Sequence, residues 1–278
     1  MRFFCFFSAL SLLTCSTNLV AEDPPGKSAR GIVFDDRNRN GIRDEGEPGI
    51  ANVLVSNQLE VVRTDPQGNW TLPARDDCIF FVIKPRGWMP PVTEQKLPLF
   101  YYRHKPKGSP KSKFPGVKPT GPLPSSINFA LTRQEEPLKF KAHFFGDTQS
   151  RNKKELGFMA RDTIQELMDT DAKFGVTLGD ILFDDLSLFE THNSIVALVG
   201  IPWFNVIGNH DLNFDAPDDT TSDETFERTY GPPYYAFTWG PVNFLVLDNV
   251  MWGGSRKSGG TGSYTSGLGE QQLTFLEN

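Results

Sequence analysis

Between Gly31 and Ile83, apolar and polar positions fall into short β-type runs of four or five residues, broken by turn residues. The runs are Ala51–Val55, Glu60–Thr64, Asn69–Leu72 and Ile79–Ile83, and Pro66-Gln67-Gly68-Asn69 forms a turn between two of them. Short strand-like runs separated by turn signals make a small all-β antiparallel sandwich the expected architecture of this part. From Phe140 the pattern changes. Strand-like apolar runs at Lys139–Phe145, Phe174–Leu178, Trp203–Ile207, Tyr234–Trp239 and Val242–Leu247 alternate with segments of helical period. One helical segment is Lys153–Met168, with Leu156, Met159, Ile164, Leu167 and Met168 on its apolar face; the other is Leu186–Val199. Strands alternating with helices predict an α/β (or α+β) domain whose central, mixed and largely parallel sheet is flanked by helices. Gly253–Gly269 is rich in Gly and Ser and reads as a surface loop, and Glu270–Asn278 reads as a helix cut off within the element.

Four segments follow from this reading: residues 1–21 as an export signal, 22–83 as the β-sandwich, 84–138 as a Pro-rich basic connection with a closing strand, and 139–278 as the α/β domain. The first is read from Arg2, an apolar stretch from Phe3 to Leu13, and small residues up to Ala21, the order of a secretory signal peptide. Cleavage after Ala21 removes Cys5 and Cys15 and leaves Cys78 alone, so the mature chain has no internal disulfide. Leu12-Leu13-Thr14-Cys15 offers an alternative, a lipoprotein anchored at Cys15. Either way the expected setting is secreted, periplasmic or cell-envelope, of bacterial type, with no transmembrane segment after the signal is removed.

Charge narrows the partners. With 28 Lys and Arg against 34 Asp and Glu, the 278-residue chain carries a net charge of −6, which argues against general binding to nucleic acid or anionic membrane. Gly and Pro number 25 and 21, which favours turns over long helices. Residues 84–124 hold ten of the prolines, and Arg103, Lys105, Lys107, Lys111, Lys113 and Lys118 run without an acid between them. That run reads as a solvated connection, or as a positive loop able to attract an anion.

The segment Asp36–Glu47 matches a twelve-residue calcium loop. Oxygen ligands come from Asp36, Asn38, Asn40, Asp44 and Glu47, with the Ile42 carbonyl at position 7 and Gly41 at the turn. Its flanks are strand-like, so it is not an EF-hand. With Gly31-Ile32-Val33-Phe34 before it and Glu47–Val53 after it, the segment resembles the B-type repeats of bacterial surface adhesins and related prealbumin-like modules. Calcium here would stiffen the sandwich rather than do chemistry.

Three short motifs sit at the ends of predicted strands: Phe144-Phe145-Gly146-Asp147-Thr148-Gln149, Thr177-Leu178-Gly179-Asp180, and Val206-Ile207-Gly208-Asn209-His210-Asp211. The carboxyl ends of strands in such a sheet form the ligand crevice, so these distant residues are expected to converge. Oxygen donors from Asp147, Asp180 and Asn209 beside the His210 imidazole are what a two-metal phosphoester hydrolase requires. The order and spacing resemble the calcineurin-like metallophosphoesterase family, whose signature is D-x-H, then GD, then GNH followed by Asp or Glu. The resemblance implies that Asp147 and Gln149 ligate a first metal, Asp180 bridges, and Asn209 ligates a second. His210 would stabilise developing charge or protonate the leaving oxygen, with an acid orienting its imidazole; Asp184 is the candidate and Asp211 the alternative.

Two features depart from that family. Gln149 stands where most members carry His, and no His follows His210, whereas the family completes its site with a later His and a G-H-x-H motif. His143 falls within a predicted strand and reads as a core or edge residue, while His104 and His192 read as solvent-facing. The resemblance therefore implies a chain truncated at the C-terminus, stopping short of those histidines. The implied activity is that of an exported phosphoesterase, cleaving a phosphomonoester or phosphodiester of unspecified class through a hydroxide activated by two divalent ions, Mn, Fe or Zn. The alternative is a cell-surface binding or adhesion module carrying an inactive phosphoesterase-like domain.

Overall fold

The computed structural model describes residues 27–254 and 262–278. The expected export signal, Cys5, Cys15 and the lipoprotein alternative lie outside the described residues. No helix among the described residues is long and apolar enough to cross a membrane.

Eight strands build the N-terminal part: β1 (Ser28–Asp35), β2 (Leu54–Ser56), β3 (Val61–Arg63), β4 (Asn69–Pro73), β5 (Cys78–Ile83), β6 (Trp88–Met89), β7 (Tyr101–His104) and β8 (Phe129–Arg133). They form two four-stranded sheets, ordered β4-β1-β8-β6 and β3-β2-β5-β7. Strand β4 alternates strictly, burying Trp70 and Leu72 between exposed neighbours, as a half-covered strand should. Strand β5 buries five of its six residues because it lies inside its sheet with both faces covered. Cys78, at its start, is a buried free thiol, and burial pushes its pKa up to about 11.

The stretch 84–138 contributes β6, β7 and β8 to these sheets; its prolines fall between strands, where no ladder N–H is required. Two neighbouring residues of this stretch, His104 and Lys105, do not face solvent. His104, expected outside, is 1% exposed because its antiparallel register opposite Cys78 turns it into the core. Lys105 is buried against Glu224 at 2.6 Å, Glu227 at 2.8 Å and Asp77 at 3.0 Å. Partners nearly 120 residues away decide that burial, and local charge pattern carries no sign of them.

In the C-terminal part, β9 (His143–Phe145), β10 (Gly175–Leu178) and β11 (Trp203–Val206) form a parallel sheet ordered β11-β10-β9. The segment expected as one helix is α1 (Lys153–Met159), a π turn over Ala160–Ile164, and α2 (Gln165–Leu167). The Asn152 side chain caps α1 by accepting from the N–H groups of Lys154 and Glu155. The second expected helix is α3 (Phe189–Val196), flanked by 3-10 turns. It buries His192, which was expected to face solvent, and burial lowers that imidazole's pKa to about 4. Helix α4 (Glu224–Tyr230) leads into β12 (Tyr235–Trp239) and β13 (Val242–Val246), which pair with each other and not with the parallel sheet. The single central mixed sheet of the sequence reading is thus a three-stranded parallel sheet and separate hairpins. Strand β14 (Val250–Trp252) pairs antiparallel with β15 (Tyr264–Ser266), which falls within the stretch read as loop, and α5 (Glu270–Glu277) follows.

One aromatic core runs through both parts. Phe80, Phe81 and Phe129 from the sandwich join Phe174, Phe204 and Phe237 in a single buried cluster. Phe174 lies 4.9 Å from Trp239, 5.5 Å from Phe237 and 5.3 Å from Phe244 by ring centroids. Each such ring contributes about 1.5–3 kcal/mol through burial. A buried ion pair crosses the same seam. Lys84 Nζ lies 2.6 Å from Glu136 Oε1, donates to the Thr238 carbonyl at 2.6 Å and sits over the Trp239 ring; Glu136 Oε2 accepts the Gly240 N–H at 2.8 Å.

Candidate functional site

The three motifs lie just past the carboxyl ends of β9, β10 and β11. Adjacent parallel strands in register bring Gly146–Gln149, Gly179–Asp180 and Gly208–His210 to one edge of the sheet. The chain must turn sharply there, and it does so with strained residues. Of nine non-glycine residues with positive φ among the described ones, four are Asp147 (51°), Gln149 (39°), Asp180 (48°) and Asp184 (66°). Such strain clusters where side chains are held for function.

Asp180 is the meeting point. Its Oδ1 accepts the His210 N–H at 3.1 Å and its Oδ2 accepts Gln149 Nε2 at 2.7 Å, while its backbone carbonyl accepts the Gln149 N–H at 2.9 Å. Gly208 makes room for it: a Cβ at that position would fall 2.2 Å from both the Asp180 amide nitrogen and Oδ1. Thr148 Oγ1 ties the first motif to the second by donating to the Ile181 carbonyl at 2.8 Å.

His210 Nδ1 lies 2.6 Å from Asp184 Oδ1. A carboxylate accepts, so Nδ1 carries the proton and Nε2 is left for the crevice. Asp211 is otherwise engaged. It is fully buried and accepts the N–H groups of Ile181, Leu182 and Gly208, which fixes the turn carrying Asn209 and His210. Asp147 is exposed, and Asn209 is half-buried on that turn. The structure therefore brings Gln149, Asp180, Asp184 and His210 into direct contact and sets Asp147 and Asn209 on the adjoining strand-end turns.

Two carboxylates and two carboxamides form a donor set suited to a hard divalent cation. They fit one in kind, and the Gly208 cradle holds the central carboxylate ready. They do not supply imidazoles: His104 and His192 are buried elsewhere, and His143 on β9 meets Thr170 Oγ1 at 2.8 Å. No group of three or more His, Cys, Asp or Glu side chains gathers as a metal site among the described residues. The Gln149 amide turns its nitrogen toward Asp180, so it would have to rotate to present oxygen there.

The Asp36–Glu47 loop closes on itself. Asp36 accepts the N–H groups of Asn40 and Gly41, Glu47 accepts those of Arg37 and Asp44, and Asn38 and Asn40 both donate to Asp44 Oδ2. Those two amides hold the Asp44 carboxyl below its usual pKa.

A cavity of about 530 Å³ lies away from the strand ends, and Asp77, Asp219, Asp223, Glu227 and Asp248 with Lys105 are among the residues lining it. That excess of negative charge would repel an anionic substrate, so size does not make it the reaction site. Sequence reasoning missed what surrounds His210. The Phe183 ring stacks on its imidazole at 4.3 Å and 24°, and the Arg151 guanidinium lies over Phe183 at 4.6 Å. The only available hint was that Phe183 falls between Asp180 and Asp184.

Residues 37–118 match the family model described as the N terminal of calcineurin-like phosphoesterase. The matched stretch lies within the sandwich rather than in the part bearing the strand-end motifs. No curated protein matches the chain. Among solved structures, the purple acid phosphatase PPD1 from yellow lupin (Lupinus luteus) seeds is similar at 11% identity and a TM-score of 0.33. The match covers 83% of this chain and 44% of that one.

Proposed function

We propose that the protein is an exported, metal-dependent phosphoesterase whose reaction centre is the crevice around Asp180. The observation that carries this reading is the convergence of three strand-end turns on one carboxylate, beside an imidazole oriented by its own acid. The family match on residues 37–118 supports it from the other end of the chain.

In this reading Asp147, Gln149, Asp180 and Asn209 hold divalent cations, which when bound neutralise phosphoryl charge and acidify a water. The protein's own part is positional. Gly208 and the His210 N–H fix Asp180, Asp211 fixes the turn bearing Asn209, and Asp184 holds His210 at Nδ1 and balances the charge of its imidazolium form, from which the Nε2 proton can pass to the departing oxygen. The substrate is a phosphomonoester or phosphodiester.

The test is hydrolysis of p-nitrophenyl phosphate with and without added Mn²⁺. We expect activity that needs the metal and falls at least about 100-fold in both D180N and H210A; full activity in these variants refutes the assigned roles. A second reading, a surface binding module with an inert crevice, draws on the lack of imidazole donors and on a family match confined to the sandwich. Metal-independent silence of the wild-type protein toward aryl mono- and diesters would favour it.

A further inference from the structure

We propose that Arg151 is a specificity residue that binds a second anionic group on the substrate, set apart from the phosphoryl that reacts at His210. This rests on the phosphoester reading of the crevice and names the kind of ester it takes.

Arg151 follows the first strand-end motif by two residues and is exposed. Its guanidinium lies over the Phe183 ring at 4.6 Å, and that ring is stacked on the His210 imidazole at 4.3 Å. A stacked imidazole fills one face of the phenyl ring, so the guanidinium takes the other. The three planes form a pile: the acid–base group, an apolar spacer, and a fixed cation at the rim.

Two further facts decide what the cation is for. Among the described residues, no carboxylate lies within ion-pair distance of the Arg151 guanidinium. Glu155, four residues further on, spends its Oε2 on the Arg151 backbone N–H at 2.8 Å. An exposed arginine without a partner normally sweeps through many rotamers. Here stacking removes much of that freedom in advance, so less entropy is lost when its planar fork takes an oxyanion. The spacer also matters. A guanidinium one aromatic thickness beyond the imidazole is too far out to share the reacting phosphoryl, but it reaches a charge on the alcohol portion of the ester. The favoured substrate class is therefore a phosphoester whose leaving group carries a carboxylate or a further phosphate.

Two non-hydrolysable probes separate this inference from the catalytic reading: phenylphosphonate and 4-carboxyphenylphosphonate, identical but for the outer carboxylate. Binding is measured by isothermal titration with Mn²⁺ present, on the wild-type chain, R151A and R151K. The wild-type protein should bind the carboxylated probe about tenfold more tightly. R151A should bring the two probes to the same affinity, and R151K should recover part of the preference, since the charge returns without the planar fork. That pattern supports the inference even if aryl phosphates are not turned over, which would overturn only the catalytic reading. Equal affinities in the wild-type chain, or a preference that survives in R151A, overturn the inference and leave the phosphoester reading standing. If neither probe binds the wild-type protein, both readings are overturned. Because Arg151 is exposed, its variants should melt within about 1 °C of wild type, which checks that folding is intact.

Discussion

Asp184, the acid the sequence reading put forward to orient His210, is the one whose carboxylate reaches that imidazole. It lies four residues after Asp180, at a backbone turn of positive φ, and its Oδ1 lies 2.6 Å from His210 Nδ1. In D184N the amide retains the size but loses the charge that stabilises a protonated imidazole. We expect kcat on p-nitrophenyl phosphate to fall about 100-fold with KM changed less than threefold; an unchanged kcat would remove Asp184 from the mechanism. At this scale the strand-end residues were legible, because Gly-Asp and Gly-Asn-His after an apolar run constrain both backbone and chemistry. The other histidines were not. His104 and His192 are polar residues buried by packing partners remote in sequence, with no local pattern to announce it. The pile of Arg151, Phe183 and His210 was hidden for the same reason.

Among the elements, the strands with regular alternation were the easiest to read. Strand β4 follows its pattern residue by residue, and β9, β10 and β11 start within four residues of their expected positions. Strands β6 and β7 escaped because they are two and four residues long within a proline-rich stretch, too short for a period to show. The π turn between α1 and α2 escaped because the apolar spacing there suits a continuous helix. The turn after β11 yields the clearest prediction at this scale. A methyl group on Gly208 has no space beside Asp180, so G208A must push the carboxylate or the turn aside. We expect a loss of at least about tenfold in Mn²⁺ affinity, read by titration calorimetry, together with a lower melting temperature. Wild-type affinity in G208A would show that the cradle does not set the metal site.

For the molecule as a whole, buried acids make stability depend on pH in an unusual direction. Burial raises the pKa of Asp248 to about 7, and Glu227 likewise to about 7 despite the neighbouring Lys105. A carboxyl whose folded pKa lies above its unfolded value near 4 binds its proton more tightly in the folded state. Its contribution is full at low pH and is lost as pH rises through about 7. Each group can account for at most about 1.4 kcal/mol per pH unit within that window. The melting temperature should therefore fall between pH 5 and pH 8, and D248N should flatten the fall; a melting temperature that rises over this range would contradict the assignment.

The seam through Lys84 and Glu136 has a consequence for how the protein can move. Both side chains belong to the N-terminal part, yet they are satisfied by Thr238 and Gly240, and Phe81 packs on Phe275 at 5.7 Å. Pulling the two parts aside would leave a charge pair in an apolar breach and unseat the shared aromatic stack. The stretch 84–138 therefore acts as mortar and not as a hinge. On the proposed reading, substrate enters a crevice whose walls are already set, and damage to the sandwich far from Asp180 should surface as misaligned turns around that carboxylate.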